Sequence, residues 1–139
     1  MGFRTNDTNS GDILRDITTG VIQLPDFQRG WVWNDNRIKS LIASITNAYP
    51  VGALMFMDYG SENVRFKHRA FEGVPETSVK PRTLVLDGQQ RLTSLYCAMY
   101  SAQAVRTEND RQQEIECFYY IDIAKSLQTS TDRTDTTPV

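Results

Sequence analysis

The stretch from Thr83 to Tyr96 joins an apolar, strand-like run to an amphipathic helix through an Asp-Gly pair. At a helix start the first backbone N–H groups are unpaired and the macrodipole is positive, which favours an anion such as phosphate. Glycine lets a ligand approach the backbone closely, and two amides and a guanidinium follow it directly. The first candidate site therefore comprises Asp87, Gly88, Gln89, Gln90 and Arg91.

A second candidate cluster lies in residues 25–33, where Gln28 and Arg29 stand among three large aromatic residues. The planar guanidinium of arginine suits phosphate oxygens, and an aromatic face can stack on a base. Large aromatics are usually buried, so we expect core positions for the rings and a functional role for Gln28 and Arg29. The aromatic residues are Phe27, Trp31 and Trp33. Each cluster lies where a loop leads into a helix, and the two clusters can converge on one anion.

Asp87 has two open interpretations. Magnesium commonly binds through one or two carboxylates together with phosphate and water, so this single carboxylate is a candidate Mg²⁺ ligand. An aspartate directly before a helix can equally serve as its N-cap.

A third cluster is the alternation of Arg65, Lys67 and Arg69, which places three cations on one face of a predicted strand. Such a row can contact a DNA backbone, or it can protect the edge of a sheet from pairing with another chain. Both interpretations remain open at this stage.

Composition narrows the function classes. The 15 Lys and Arg against 17 Asp and Glu give a net charge of −2 and a pI near 5.3, so any nucleic-acid binding must be local. Two cysteines without CxxC spacing, together with an N-terminus that holds no apolar run, predict a cytoplasmic protein without a signal peptide or membrane span. Phosphate-loop, dinucleotide-binding and zinc motifs are absent from the sequence.

The predicted elements follow the order helix, strand, helix, hairpin, strand, helix and strand, with helical periodicity and β-branched runs as the signals. Their bounds are helix 10–20, strand 21–24, helix 34–49, a hairpin of strands 51–59 and 64–71, strand 84–86, helix 88–102 and strand 117–123. Residues 106–114 are predicted to form a charged connection. We expect one α+β domain over residues 1–124, a small mixed sheet packed with helices, and a flexible tail or linker over residues 125–139.

The ordered motifs resemble those of the N-terminal domain family of GmrSD-type restriction proteins, which has the ParB/sulfiredoxin-like fold. The resemblance rests on Pro25-Asp26-Phe27-Gln28-Arg29, on Tyr49-Pro50-Val51-Gly52, and most specifically on Leu86-Asp87-Gly88-Gln89-Gln90-Arg91-Leu92-Thr93. It implies nucleoside triphosphate binding and hydrolysis within a defence system that recognises modified DNA. It also implies a nuclease domain or partner chain outside these 139 residues, so DNA cleavage by this chain alone is not expected.

By this resemblance Asp87, Gln89, Gln90 and Arg91 form the nucleotide site, with Gln28 and Arg29 beside it. The N–H groups near Gly88 and the Arg91 guanidinium hold phosphates, Arg29 neutralises developing charge, and Gln89 or Gln90 orients water. The alternative is a non-catalytic, ParB-like module that binds a nucleotide or DNA, and a third is a protein-interaction scaffold. The Arg91 side chain is expected to be exposed and of little importance for stability.

Overall fold

A computed structural model of the chain describes residues 4–60 and 66–127. Its centre is a four-stranded mixed sheet in the order β2-β4-β1-β3. The strands are β1 (Ile22–Pro25), β2 (Met55–Asp58), β3 (His68–Arg69) and β4 (Thr83–Asp87). The mixed sheet packed with helices confirms the predicted α+β class.

The two central strands, β1 and β4, run parallel, with Ile22 opposite Thr83 and Gln23 opposite Leu84. Parallel strands send the segments that follow them to the same edge of a sheet. Residues 26–33 follow β1, and residues 88–91 follow β4. This pairing therefore brings the two candidate clusters together although about sixty residues separate them in sequence.

The helices begin and end where local signals indicate. Helix α1 (Ser10–Thr19) is capped by the Asn9 side chain and ends at Gly20, whose φ of +83° is the left-handed conformation that glycine adopts readily. Helix α2 (Asp35–Thr46) begins at Asn34, whose side chain accepts a hydrogen bond from the Arg37 N–H. Helix α3 (Gln89–Leu95) continues as a π-helical turn (Tyr96–Tyr100), and α4 (Ile123–Ser126) is a short final helix.

The core lies between the sheet and the helices. Leu84 and Val85 of β4 are fully buried, and Leu24 of β1 is 1% exposed. The apolar faces of α1, α2 and α3 cover these strands through Ile13, Leu14, Ile17, Ile38, Leu41, Ile42, Leu92 and Leu95. The packed helices fix the first residues of α3 against the sheet, and that placement positions the candidate site.

The predicted hairpin of residues 51–59 and 64–71 is wrong. In the described residues, β2 and β3 lie on opposite edges of the sheet, because β4 pairs with β2 and β1 pairs with β3. The sequence signal for a hairpin is local, whereas these strands find partners far away in the chain. Residues 61–65, which include the predicted turn, lie outside the described residues.

The predicted charged connection is instead a hairpin of β5 (Val105–Glu108) and β6 (Glu114–Cys117). Val105 and Thr107 are buried while Arg106 and Glu108 are exposed, so the charges occupy one face of a strand. The Arg106 guanidinium pairs with Glu116 across the hairpin at 2.8 Å. The strand predicted at 117–123 is therefore wrong beyond its first residue.

Residue 124, the predicted domain boundary, falls inside α4, and residues 128–139 of the predicted tail lie outside the described residues. Among the helices that the structure describes, none has the length and apolarity needed to cross a bilayer. Cys97 and Cys117 are both free thiols, in agreement with the absence of a disulfide pattern. Burial, with a smaller contribution from the charge of Glu72, raises the pKa of the Cys97 thiol to about 11.

Candidate functional site

The segments after β1 and β4 line one open cavity of about 290 Å³, which we call the loop–helix cavity. Its lining residues are Gln28, Arg29, Trp33, Leu86, Asp87, Gly88, Gln89, Gln90 and Arg91. The structure thus brings both predicted clusters to a single site. Within this cavity the polar side chains have very different partners.

Gln89 and Gln90 attach the start of α3 to the loop. The Gln89 Nε2 donates to the Arg29 carbonyl at 2.6 Å, and the Gln90 Nε2 donates to the Gly30 carbonyl at 3.1 Å. The Gln90 Oε1 in turn accepts from the Val32 N–H at 2.9 Å. Both amides therefore satisfy polar groups of the loop backbone.

Gln28 attaches the loop to the sheet from the other side. Its Nε2 donates to the carbonyls of Val85 and Leu86 at 2.8 and 3.1 Å. The Arg69 guanidinium, from β3, donates to the Gln28 and Arg29 carbonyls at 3.0 and 3.2 Å. The loop is consequently held by side chains from three directions, which makes the cavity a preformed one.

Arg91 braces the segment that precedes β2. Its side chain is 19% exposed, and its Nη1 and Nη2 donate to the carbonyls of Val51 and Ala53 at 2.7 and 2.8 Å. Gly52, with φ of +94°, lies between them, and a Cβ there would stand 2.5 Å from the Arg91 Nη1. The expectation of an exposed Arg91 is wrong, because the segment that leads into β2 covers its side chain.

The start of α3 carries no side-chain cap. The cap residue is Gly88, with φ of +94°, so the N-cap interpretation of Asp87 is wrong. Asp87 is instead the last residue of β4, with its side chain 69% exposed and its Oδ2 3.5 Å from the Arg91 Nη2. A Cβ on Gly88 would clash with the Leu54 side chain, so only glycine fits this turn.

Arg29 differs from the other polar residues of the loop–helix cavity. The residue is exposed, and its guanidinium makes no hydrogen bond or ion pair with any residue that the structure describes. Its backbone carbonyl is held by Gln89 and Arg69, so the Cα position is fixed while the charge stays available.

The aromatic residues of the loop divide into two groups. Trp31 and Trp33 pack against the core, as predicted, although each stays partly exposed. Phe27 is 69% exposed, so its predicted burial is wrong, and its ring meets Phe66 edge-on with centroids 5.7 Å apart. The loop turns Phe27 outward because Asp26 donates its N–H to the Lys67 carbonyl and so aligns with β3.

The predicted basic face has one exposed cation among the described residues. Lys67 is exposed, whereas Arg69 is half-buried and donates to the loop carbonyls. Arg65 lies outside the described residues. Groups of three or more metal-binding side chains are absent from the described part of the chain, so a cation at Asp87 would depend on oxygen atoms of phosphate and water.

Sequence reasoning missed Val51, Gly52 and Ala53 as part of the site. These residues supply the carbonyls and the space that Arg91 requires. The signal was present in Tyr49-Pro50-Val51-Gly52, where proline ends the helical run and a glycine follows it at once. What the pattern could not indicate was the distant arginine for which the glycine makes room.

Comparison with known proteins gives one family and one curated relative. The sequence model of the family described as "GmrSD restriction endonuclease, N-terminal domain" matches residues 10–137. An uncharacterized protein of Methanocaldococcus jannaschii is 41% identical over 103 residues, covering 70% of this chain and 18% of that protein. The chain therefore spans less than a fifth of that relative's length. No solved structure matches the chain significantly.

Proposed function

Because the chain belongs to the family of GmrSD restriction endonuclease N-terminal domains, we propose that it is the nucleoside triphosphate-binding module of a restriction-type defence protein. The loop–helix cavity holds the phosphates. The observation that carries this proposal is that one cavity is lined both by Arg29, whose guanidinium has no partner among the described residues, and by the uncapped start of α3. Unpaired N–H groups and a free cation are the two features that attract phosphate.

Hydrolysis, as the finer part of the proposal, requires a metal and a positioned water. Asp87 is exposed at the cavity and is the carboxylate that would hold Mg²⁺ together with phosphate oxygens, with the metal supplying charge neutralisation. The Gln89 amide donates through Nε2, while its Oε1 accepts no hydrogen bond from the described residues. That oxygen is the acceptor which would orient an attacking water.

Gln28, Gln90 and Arg91 then act mainly as positioning residues. Their side chains donate to backbone carbonyls around the cavity and so fix the loop and the start of α3. In this proposal they do not contact the phosphates themselves. This division assigns phosphate contact to Arg29 and to the N–H groups at the start of α3.

The test is calorimetric titration of ATP, GTP and CTP with Mg²⁺ into the protein and into Arg29→Ala. We expect at least a tenfold loss of affinity in Arg29→Ala, since a charge-assisted hydrogen bond contributes about 1.5–3 kcal/mol. Arg82→Ala is the matched control, because Arg82 is also exposed but adjoins the start of β4, at the far end from Asp87. Equal loss in both variants, or no nucleotide binding by the wild type, contradicts the proposal.

Phosphate release on the nucleotide that binds then separates an enzyme from a clamp. A non-catalytic, ParB-like module is favoured by one observation: of the four side chains expected to act in catalysis, Asp87, Gln89, Gln90 and Arg91, the last three donate to backbone carbonyls. Retained binding without phosphate release in the wild type would establish this alternative.

DNA is the second proposed partner, and Lys67 is the described cation available for its backbone. The alternation in the sequence adds Arg65 to this basic face. Arg69 donates to the loop carbonyls, so we assign it a structural role. We expect Lys67→Ala with Arg65→Ala to weaken DNA binding and to flatten its salt dependence. An unchanged salt slope would contradict a role for this strand.

A further inference from the structure

A second cavity, which we call the α2 cavity, lies next to the loop–helix cavity. It measures about 490 Å³ and is formed by residues 36–44 of α2 together with Pro50 and Val51. Trp33 and Arg91 line both cavities and thus form a shared wall. The two cavities are therefore adjacent, which suits a ligand with two parts, one for each cavity.

Trp33 differs from Trp31 in how its ring is used. The Trp31 indole N–H donates to the Ser94 Oγ at 2.9 Å and so anchors that ring on α3. Trp33 is fixed through its backbone instead, because its carbonyl accepts from the Thr107 Oγ1 at 2.8 Å. Its indole N–H has no hydrogen-bond partner among the residues that the structure describes. The backbone of Trp33 is therefore fixed, while its ring can contact a ligand.

The surroundings of the α2 cavity combine apolar surface with polar groups. Leu41, Pro50 and the Trp33 ring supply the apolar part. Ser40 and Arg37 supply hydroxyl and guanidinium groups, and the Arg37 side chain has no bonded partner in the described part of the chain. A nucleobase has flat apolar faces and polar edges, which match such a lining.

We propose that the α2 cavity binds the base of the nucleotide and that Trp33 stacks on it, while the phosphates occupy the loop–helix cavity. This inference rests on the proposed function and extends it by assigning the base a place. Of the two residues that line both cavities, Trp33 is the one assigned to stack on the base, because the Arg91 guanidinium is held by the Val51 and Ala53 carbonyls. Trp33 is then a determinant of nucleotide affinity that inorganic phosphates do not use.

The first experiment compares tripolyphosphate with ATP, GTP and CTP, each with Mg²⁺, by calorimetry on the full chain. Trp33→Ala is expected to weaken nucleotide binding about tenfold, as the loss of aromatic stacking on a base does, and to leave tripolyphosphate binding unchanged. Arg29→Ala is expected to weaken both ligands. An equal loss of both ligands in Trp33→Ala would show a purely structural role for Trp33 and would overturn the inference.

The second experiment fills the α2 cavity without substituting Trp33 or Arg91, the two residues that it shares with the loop–helix cavity. Ser40 is exposed on α2, so Ser40→Phe projects a ring into the cavity, and Ser40→Ala at the same position is its control. We expect Ser40→Phe to lower nucleotide affinity by tenfold or more while tripolyphosphate binding stays unchanged. Ser40→Ala removes one hydroxyl without filling the cavity, so it should lower nucleotide affinity by clearly less than Ser40→Phe. This variant keeps the test decisive if Trp33→Ala fails to fold.

Fluorescence supplies an independent readout because the chain holds only two tryptophans. Nucleotide should quench the wild type, tripolyphosphate should not, and Trp33→Phe should lose the response. If tripolyphosphate binds but bases add no affinity and no quenching, the inference fails while the phosphate site stands. If neither tripolyphosphate nor any nucleotide binds, the proposed function and the inference fail together.

Discussion

The loop after β1 and the helix start after β4 contribute the same residue types to one cavity, yet they use them differently. At the helix start, Gln89, Gln90 and Arg91 all bond to backbone carbonyls. In the loop, Gln28 does the same, but the Arg29 guanidinium has no partner in the part of the chain that the structure describes. The comparison teaches that the more distinctive sequence motif is chiefly a scaffold, and that the less distinctive loop presents the available charge.

Arg91→Ala should show the largest effect on stability. The substitution leaves the Val51 and Ala53 carbonyls without their donor and empties the space beside Gly52, for which we expect a loss of about 2–4 kcal/mol in the free energy of unfolding. Urea denaturation followed by circular dichroism measures it. A change below about 0.5 kcal/mol, the range typical of surface substitutions, would contradict the bracing role.

Gly52→Ala should be the next in size. The new Cβ would meet both a left-handed φ and the Arg91 guanidinium at 2.5 Å, with an expected cost of about 2–3 kcal/mol. Gly60→Ala is a matched control, because Gly60 also has positive φ, of +110°, but its Cβ would meet no atom of the described residues within 4 Å. The loss in free energy of unfolding for Gly52→Ala minus that for Gly60→Ala gives the contribution of the contact with Arg91.

A double-mutant cycle sharpens that prediction. When Arg91→Ala is already present, Gly52→Ala should cost less than in the wild type, because the guanidinium that it clashes with is gone. Strict additivity of the two substitutions would show that Arg91 and Gly52 do not depend on each other.

Gln89→Ala should have a moderate effect. Gln89 is 8% exposed, and its loss removes the shorter of the two hydrogen bonds that the Arg29 carbonyl accepts, at an expected cost of about 1–2 kcal/mol. Because that bond fixes Arg29, nucleotide affinity should fall as well, even under conditions where the protein is fully folded. Unaltered affinity with reduced stability would separate the scaffold from the phosphate site.

Arg29→Ala should have the smallest effect on stability and a large one on binding. The side chain is exposed and has no described partner, so the free energy of unfolding should stay within about 0.5 kcal/mol of the wild type. Thermal unfolding without nucleotide checks this value. The comparison of the two regions breaks down if Arg29→Ala destabilises the protein as much as Arg91→Ala.

Several features of the fold follow directly from the sequence. Asn34 before a helical apolar period marks the start of α2, and Gly20 after one marks the end of α1, because caps act within one turn. The predicted end of α2 at residue 49 is wrong, since the helix ends at Thr46. The two candidate clusters also lie at one cavity, as the sequence suggested. These successes concern signals that are local, or that depend on the ends of neighbouring strands.

The failures concern partners that a linear pattern does not contain. The pairing of β2 with β4 depends on which strand lies in the centre of the sheet, and the local sequence does not contain that information. The β5–β6 hairpin was missed because its charged side chains, which lie on one face, were interpreted as a connecting segment. The role of Arg91 was missed for a related reason. A guanidinium binds a carbonyl as readily as a phosphate, and only its surroundings decide between them.

The side-chain bonds that join the loop to β4 and α3 have a consequence for folding kinetics. They connect residues 57 to 63 positions apart in sequence. Closing such a long segment carries an entropy cost that is recovered only when β1 and β4 pair, so the cavity cannot form as an early local structure. The chain acquires a complete ligand site only as its sheet is completed, and partially folded molecules would lack it.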